Sequence, residues 1–210
     1  MEHTPHYSHS NIYHSFGSDT SELPQAFFTF TIFNEIDYME HAFGISVMQQ
    51  GNRLANYRKN SSYDKFKPAR FNLILMTKEG EFVKARFGSK FMFSLDNKDL
   101  VLPAGDYVLM IDPIWDESVE NESAYHDILL DIYGPESTTI MPVDDAYGMK
   151  VLANALKHAA MTKAPDSARK MYLANEADYK DCFRVSAVDA IDCWYGFIYT
   201  ANNSPYRLRE

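Results

Sequence analysis

Seven short segments of β-prone residues precede residue 134, and no helical pattern separates them. Each is rich in aromatic or β-branched side chains, and in residues 26–33 Phe28 and Phe30 alternate with threonine. Short strands joined by tight turns, as at residues 78–80, favour antiparallel pairing. The sequence therefore predicts a mainly β protein, an antiparallel β-sandwich of about eight strands. The segments before residue 134 are residues 26–33, 43–49, 71–77, 81–87, 91–95, 107–111 and 125–133.

The hydrophobic pattern changes near residue 144, where a helical period begins. Asp144 or Asp145 is a suitable N-cap, and an apolar stripe follows at helical spacing. This pattern predicts a C-terminal amphipathic helix that ends before Ala164-Pro165. Residues 167–175 favour a second, shorter helix, and residues 193–200 a closing strand. The predicted helical stripe consists of Met149, Leu152, Ala153, Leu156 and Ala160.

The chain divides into three parts on this basis. Residues 25–140 are expected to form the sandwich, and residues 141–210 a helical segment plus closing strand and tail packed on it. Residues 1–24 are polar and contain four of the seven histidines, so we expect a flexible arm whose removal leaves the melting temperature almost unchanged. The arm is predicted to bind a partner through the aromatic residues Tyr7, Tyr13 and Phe16.

Charge is distributed unevenly along the chain, whose formal net charge is −9. Residues 96–145 hold thirteen carboxylates against one lysine, whereas residues 53–90 hold ten basic residues against three acidic ones. The basic stretch predicts contact with an acidic protein surface or acidic lipid headgroups, or internal pairing with the acidic stretch. The overall acidity argues against nucleic acid. The predicted partner-binding residues of the basic stretch are Arg58, Lys59, Lys65 and Lys67.

An acidic insert follows the apolar run at residues 107–111. Pro113 has no amide hydrogen, so Asp112-Pro113 is predicted to end that strand. Clustered carboxylates on a loop suit calcium, although the spacing does not match a helix-loop-helix calcium site. The alternative is a solvated, mutually repulsive loop. The candidate calcium ligands are Asp112, Asp116, Glu117, Glu120 and Glu122.

The sequence contains no recognisable catalytic constellation. Cys193 precedes Trp194 as in papain-type nucleophiles, but no histidine follows it to act as a base. The four N-terminal histidines could gather a metal ion, but no helix aligns them. Two cysteines are too few for a disulfide framework, and no apolar run is long enough to cross a membrane. We therefore expect a non-enzymatic, intracellular protein of a reducing compartment.

Five segments together resemble the third, non-catalytic domain of calpain-type proteases, the calpain β-sandwich, and particularly its versions in protists. They are FTFTIF (28–33), ISVMQQGNRL (45–54), PARFNLILMTKEGEFVKARF (68–87), LVLPAGDYVLMIDPIW (100–115) and ILLDIYGPE (128–136). The closing WYGFIYTANNS (194–204) is similar to the tail that follows this domain in those proteins. The protease core of the family, with its Cys, His and Asn, has no counterpart in this sequence.

The resemblance implies a sandwich without peptidase activity. Its first functional implication is a structural or adaptor subunit of a larger cytoplasmic assembly, with ciliary and cytoskeletal assemblies as candidate hosts. The second is a calcium-responsive regulatory module that binds phospholipid or protein through the acidic insert. The third is a subunit of a calpain-like cysteine peptidase complex. The expected partners are other proteins, with acidic lipid as a further candidate.

Overall fold

The computed structural model describes residues 7–16, 25–37, 41–49, 68–89, 92–96, 101–115, 127–163, 182–186 and 198–202. These residues form antiparallel sheets in a β-sandwich, followed by a C-terminal helix, which confirms the predicted fold class. The elements are β1 (Ser8–Ser15), β2 (Ala26–Ile32), β3 (Ile36–Asp37), β4 (Gly44–Gln49), β5 (Arg70–Thr77), β6 (Phe82–Ser89), β7 (Met92–Asp96), β8 (Val101–Leu102), β9 (Gly105–Ile114), β10 (Asp127–Gly134), β11 (Met141–Pro142), α1 (Asp145–Lys163), β12 (Cys182–Ser186) and β13 (Ile198–Asn202).

Two large sheets make up the sandwich. The four-stranded sheet has the order β1-β10-β4-β7, and the five-stranded sheet has the order β11-β2-β9-β5-β6. Strands β3 and β8 form a separate pair, as do β12 and β13, and every pairing is antiparallel. Apart from the β5–β6 hairpin, neighbouring strands in the two large sheets are distant in the chain, so neither sheet is a simple series of hairpins.

The main core lies between the two large sheets. Because successive side chains of a strand point to opposite faces, Tyr107, Leu109 and Ile111 of β9 all enter this core. Leu109 is opposite Phe28 of β2 on one side and Leu75 of β5 on the other, and all three are fully buried. Strand β9 is therefore the central strand of the five-stranded sheet.

A second core lies between the five-stranded sheet and α1. Val108 and Met110, the other face of β9, pack with Val151 and Ala155 of the helix. The helix approaches closely at Gly148, where an added Cβ would lie 2.2 Å from the Phe27 ring. Asp144 caps the helix, since its Oδ1 accepts hydrogen bonds from the backbone amides of Ala146 (3.0 Å) and Tyr147 (3.2 Å).

The buried face of α1 differs from the predicted stripe by about one position around the helix. Leu152 is buried as expected, but Met149 and Ala153 are exposed, whereas Val151 and Ala155 are buried. The close approach at Gly148 explains the difference, because it fixes which side of the helix lies against Phe27 of the sheet.

The N-terminal segment differs more from its prediction. Residues 8–15, expected within a flexible arm, form β1 and pair with β10 along their whole length. Phe16, expected to contact a partner, is only 6% exposed and lies in the main core, with its ring edge-on to those of His14 and Trp115. The alternation in β1 is hard to recognise because its inward side includes serine and histidine as well as Ile12.

Strand β9 also continues through Asp112-Pro113, where the sequence predicted its end. Asp112 is opposite Asn72 and Pro113 is opposite Phe71. Strand β2 begins at Ala26, opposite Ile111, so the last residues of β9 pair with β5 alone among the described residues. A proline is compatible with a strand where one side lacks a neighbouring ladder.

Candidate binding surface

The outer face of the four-stranded sheet, the side turned away from the main core, is the candidate functional surface. Sheet registers place on it alternate residues of β1, β10, β4 and β7. The helix covers the corresponding outer side of the five-stranded sheet, but within the described residues no helix covers this face. An antiparallel sheet with one face in solvent normally presents polar side chains on that face. Exposed apolar side chains on the outer face therefore depart from the usual pattern and require an explanation.

A row of four large side chains crosses the outer face from edge to edge. Tyr13 is opposite Leu129, Leu129 is opposite Met48, and Met48 is opposite Met92. The end residues are strongly exposed, Tyr13 by 63% and Met92 by 60%, and the two between them are half-buried. We call these four residues the apolar row. Methionine and tyrosine are favoured at protein interfaces, because they supply adaptable apolar area.

Polar pairs lie on both sides of the apolar row. Nδ1 of His9 is 3.3 Å from Oδ2 of Asp131, and the Tyr133 ring lies 6.1 Å from that imidazole. Asp127 accepts hydrogen bonds from the hydroxyls of Tyr13 and Ser15. The outer face thus combines an apolar centre with a polar, acidic margin, an arrangement typical of protein-binding surfaces.

Asp112 is the one residue of the predicted calcium site that the structure describes. It is 7% exposed and lies on the helix side of the five-stranded sheet, opposite Asn72. Burial raises the pKa of Asp112 to about 6, and the facing Asn72 side chain opposes this rise only in part. Gln25, just before β2, has a buried Oε1 without a hydrogen-bond partner among the described residues.

Asp112→Asn is expected to stabilise the protein by about 2 to 3 kcal/mol at pH 7.5 and to have little effect near pH 4. The pKa of Asp112 is higher in the folded protein than in the unfolded chain. Its side chain therefore contributes most favourably to stability when it is protonated, below the unfolded pKa of 3.8, and the protein loses stability as pH rises from there through about 6. The uncharged amide removes that loss, because it does not ionise over this pH range. Urea unfolding of both proteins from pH 4 to 8 measures the difference.

The variant must be compared with wild type at each pH, because a second group also makes stability depend on pH. Burial lowers the pKa of His14, so the contribution of His14 to stability increases as pH rises, opposite to that of Asp112. That contribution is common to both proteins and cancels in the difference. A difference that stayed constant from pH 4 to 8 would contradict a raised pKa for Asp112.

A second candidate is a cleft of about 460 Å³ beside the turn between β5 and β6. Its lining includes Glu79, Glu81 and Asp106. The Asp106 carboxylate accepts hydrogen bonds from Thr31 Oγ1 (2.7 Å) and Lys78 Nζ (3.3 Å), which lower its pKa. These bonds connect neighbouring strands, so Asp106 has a structural role there, and the outer face remains the stronger candidate.

The other predicted site residues are distributed as follows. Tyr7 is 43% exposed just before β1, and Tyr13 lies on the outer face, so two of the three arm aromatics are at the surface. The remaining predicted residues fall outside the described part of the chain, and their roles stay predictions. They are the basic residues Arg58, Lys59, Lys65 and Lys67 and the carboxylates Asp116, Glu117, Glu120 and Glu122.

Metal binding and membrane crossing find no support in the described residues. Among them, no group of three or more His, Cys, Asp or Glu side chains is arranged to hold a metal ion. No helix in the same set has the length and hydropathy to cross a bilayer.

Sequence reasoning missed most of the outer face. The pairs formed by His9 with Asp131 and by Tyr13 with Asp127 join residues more than a hundred positions apart. Nothing local in the sequence connects them, since only the pairing of β1 with β10 brings them together. The signal that could have found β1 is the alternation of His9, Asn11 and Tyr13, which is weak because Ile12 is the only aliphatic residue on the other side of the strand.

Comparison with known proteins adds no family assignment. A scan against protein-family models gives no match, and a search of curated proteins gives no significant match.

Proposed function

We propose that this protein is a non-catalytic β-sandwich subunit, similar to the third domain of calpain-type proteases, that binds another protein through the outer face of its four-stranded sheet. The observation that carries the proposal is the apolar row, which exposes Tyr13 and Met92 at its two ends. Apolar side chains exposed together on a sheet surface mark interaction sites, because they gain free energy when a partner removes them from water.

The chemistry of the surface describes the partner. The apolar row favours a protein with complementary apolar side chains, and the carboxylates of Asp127 and Asp131 favour basic or hydrogen-bond-donating groups around them. Such a surface suits an adaptor in a larger assembly, with ciliary and cytoskeletal assemblies as the candidate hosts implied by the family resemblance. The role needs no catalytic group.

Met92→Lys tests this proposal, because it places a charge at the exposed end of the apolar row without disturbing either core. We expect the fraction of tagged protein in the native assembly to fall about tenfold, equivalent to about 1.4 kcal/mol of binding free energy. The measurement is size-exclusion chromatography of native cell extracts, with the tagged chain quantified in each fraction.

Met149→Lys is the matched control. Met149 is also an exposed methionine, but it lies on α1, at the other side of the sandwich. Met149→Lys should leave incorporation of the tagged protein into the native assembly unchanged. Both variants should have the wild-type melting temperature. Wild-type incorporation of Met92→Lys would contradict binding through the outer face.

A further inference from the structure

Strand β1 forms one edge of the four-stranded sheet. It pairs with β10 in an unbroken register from Ser8 to Ser15, and no strand in the described part of the chain pairs with its other side. An edge strand presents a row of backbone amide and carbonyl groups that can pair with another strand. Natural proteins usually block such edges, so the state of each edge indicates whether it is available for association.

The other three edges of the two large sheets carry blocking features. At β7, Nη1 of Arg86 donates a 2.5 Å hydrogen bond to the carbonyl oxygen of Ser94. Strand β11 has only two residues, one of them Pro142. Strand β6 carries Lys84 and Arg86, and its pairing with β5 shifts register at Leu75/Met76. Bulges, prolines, basic side chains and short length all discourage strand addition.

Strand β1 has none of these features. Its eight residues contain no proline, lysine, arginine, aspartate or glutamate, and its register has no shift. The rest of the chain gives the molecule a net charge of −9, so a strand without ionised carboxylates is the edge at which two copies can approach with least repulsion. It is also long enough to offer about one backbone hydrogen bond per residue.

We propose that β1 pairs antiparallel with β1 of a second copy and joins two four-stranded sheets into one continuous sheet. In an antiparallel pair, directly opposite residues have their side chains on the same face of the sheet. In a two-fold dimer of β1 this requires one residue to lie directly opposite its own copy, with the two-fold axis passing midway between them. An axis at Ile12 places Ile12 opposite its copy on the core side. It also places Asn11 opposite Tyr13 of the second copy on the outer face.

The neighbouring register is less complementary. An axis at Asn11 would place the apolar Ile12 opposite Ser10 of the second copy, whereas the axis at Ile12 places Ser10 opposite His14. Of these two registers, only the axis at Ile12 places Ile12 opposite an apolar side chain. It also brings residues 8–16 opposite residues 8–16 of the second copy.

The dimer is a weak and reversible one. A strand-to-strand contact of this length buries less than the roughly 1,000 Å² expected of a stable interface. Because both copies are acidic, salt screens their repulsion, so the dimer should tighten as ionic strength rises. Association through ion pairs would show the opposite dependence.

Sedimentation velocity of the full-length protein, from about 1 to about 100 µM, tests the proposal. Wild type should shift from monomer to dimer over this range, and the shift should begin at lower concentration in high salt. A wild type that stays monomeric at every concentration overturns the proposal, and the adaptor role on the outer face is unaffected by that result.

The double variant Asn11→Lys/Tyr13→Lys places lysines directly opposite each other in the Ile12-centred register and should raise Kd at least about tenfold. Met92→Lys/Ser94→Lys is the matched control, since it adds two lysines at the same spacing on the same face, at the β7 edge. It should dimerise like wild type. If both variants weakened dimerisation equally, the dimer contact would lie on the outer face of the sheet rather than at the β1 edge.

Asn11→Lys/Tyr13→Glu tests the register. It places each lysine opposite a glutamate of the second copy and should restore dimerisation relative to the double-lysine variant. Thermal melts confirm that each variant is folded. A lysine/glutamate variant as weak as the double-lysine variant would overturn pairing about Ile12.

Discussion

Deletion of residues 1–24 should lower the free energy of unfolding by about 4 kcal/mol or more, because it removes β1 and leaves part of the main core without its cover. Phe16 is buried against the rings of His14 and Trp115, and His14 also packs edge-on against Phe28. Truncating one buried phenylalanine costs about 3 to 5 kcal/mol. Ile12 adds further buried area against the main core.

Urea denaturation of the truncated and full-length proteins measures this effect. A deletion of residues 1–6 is the matched control, since it preserves every contact described for residues 7–16. If the longer deletion leaves too little folded protein to measure, Phe16→Ala should still lose about 3 kcal/mol. An unchanged melting temperature after removal of residues 1–24, as the flexible-arm interpretation predicts, would show that β1 contributes nothing to the fold.

Leu109→Ala should lower the free energy of unfolding by about 3 to 5 kcal/mol. Leu109 is fully buried at the centre of the sandwich, with Phe28 on one neighbouring strand and Leu75 on the other. Strands on both sides hold it in place, so the surrounding structure has little freedom to collapse into the cavity, which places the loss toward the upper part of the range.

Chemical denaturation again provides the measurement, and Met92→Ala is the control. Met92 is mostly exposed on the outer face, so its truncation should change stability by less than about 0.5 kcal/mol. A loss below about 0.5 kcal/mol for Leu109→Ala would be inconsistent with β9 as the central strand.

The two predictions and the Asp112 variant probe three separate regions. The N-terminal deletion tests the edge of the four-stranded sheet, Leu109 tests the main core, and Asp112 tests the polar end of the second core. The Asp112 variant is the only one of the three expected to gain stability, because a buried carboxylate is unfavourable when ionised.

Local sequence patterns determined the strand content of the sandwich. Residues 26–33 predict β2, residues 71–77 predict β5, and residues 107–111 predict the strand that becomes β9. The turn at residues 78–80 also follows from its residue types, and its glycine adopts the positive φ of 88° that a tight turn requires. These features depend on neighbours in the chain, so the chain alone carries their signal.

Long-range pairing decided what the sequence left open. Strand β1 is mostly polar and would not form alone, yet β10 supplies its hydrogen bonds and the core accepts Ile12 and Phe16. The buried side of α1 follows from the contact of Gly148 with Phe27, and Pro113 is accepted in β9 because β2 starts too late to pair with it. The outer face depends on the same cause. The apolar row takes one residue from each of four strands, and only their register in the folded sheet brings those residues together.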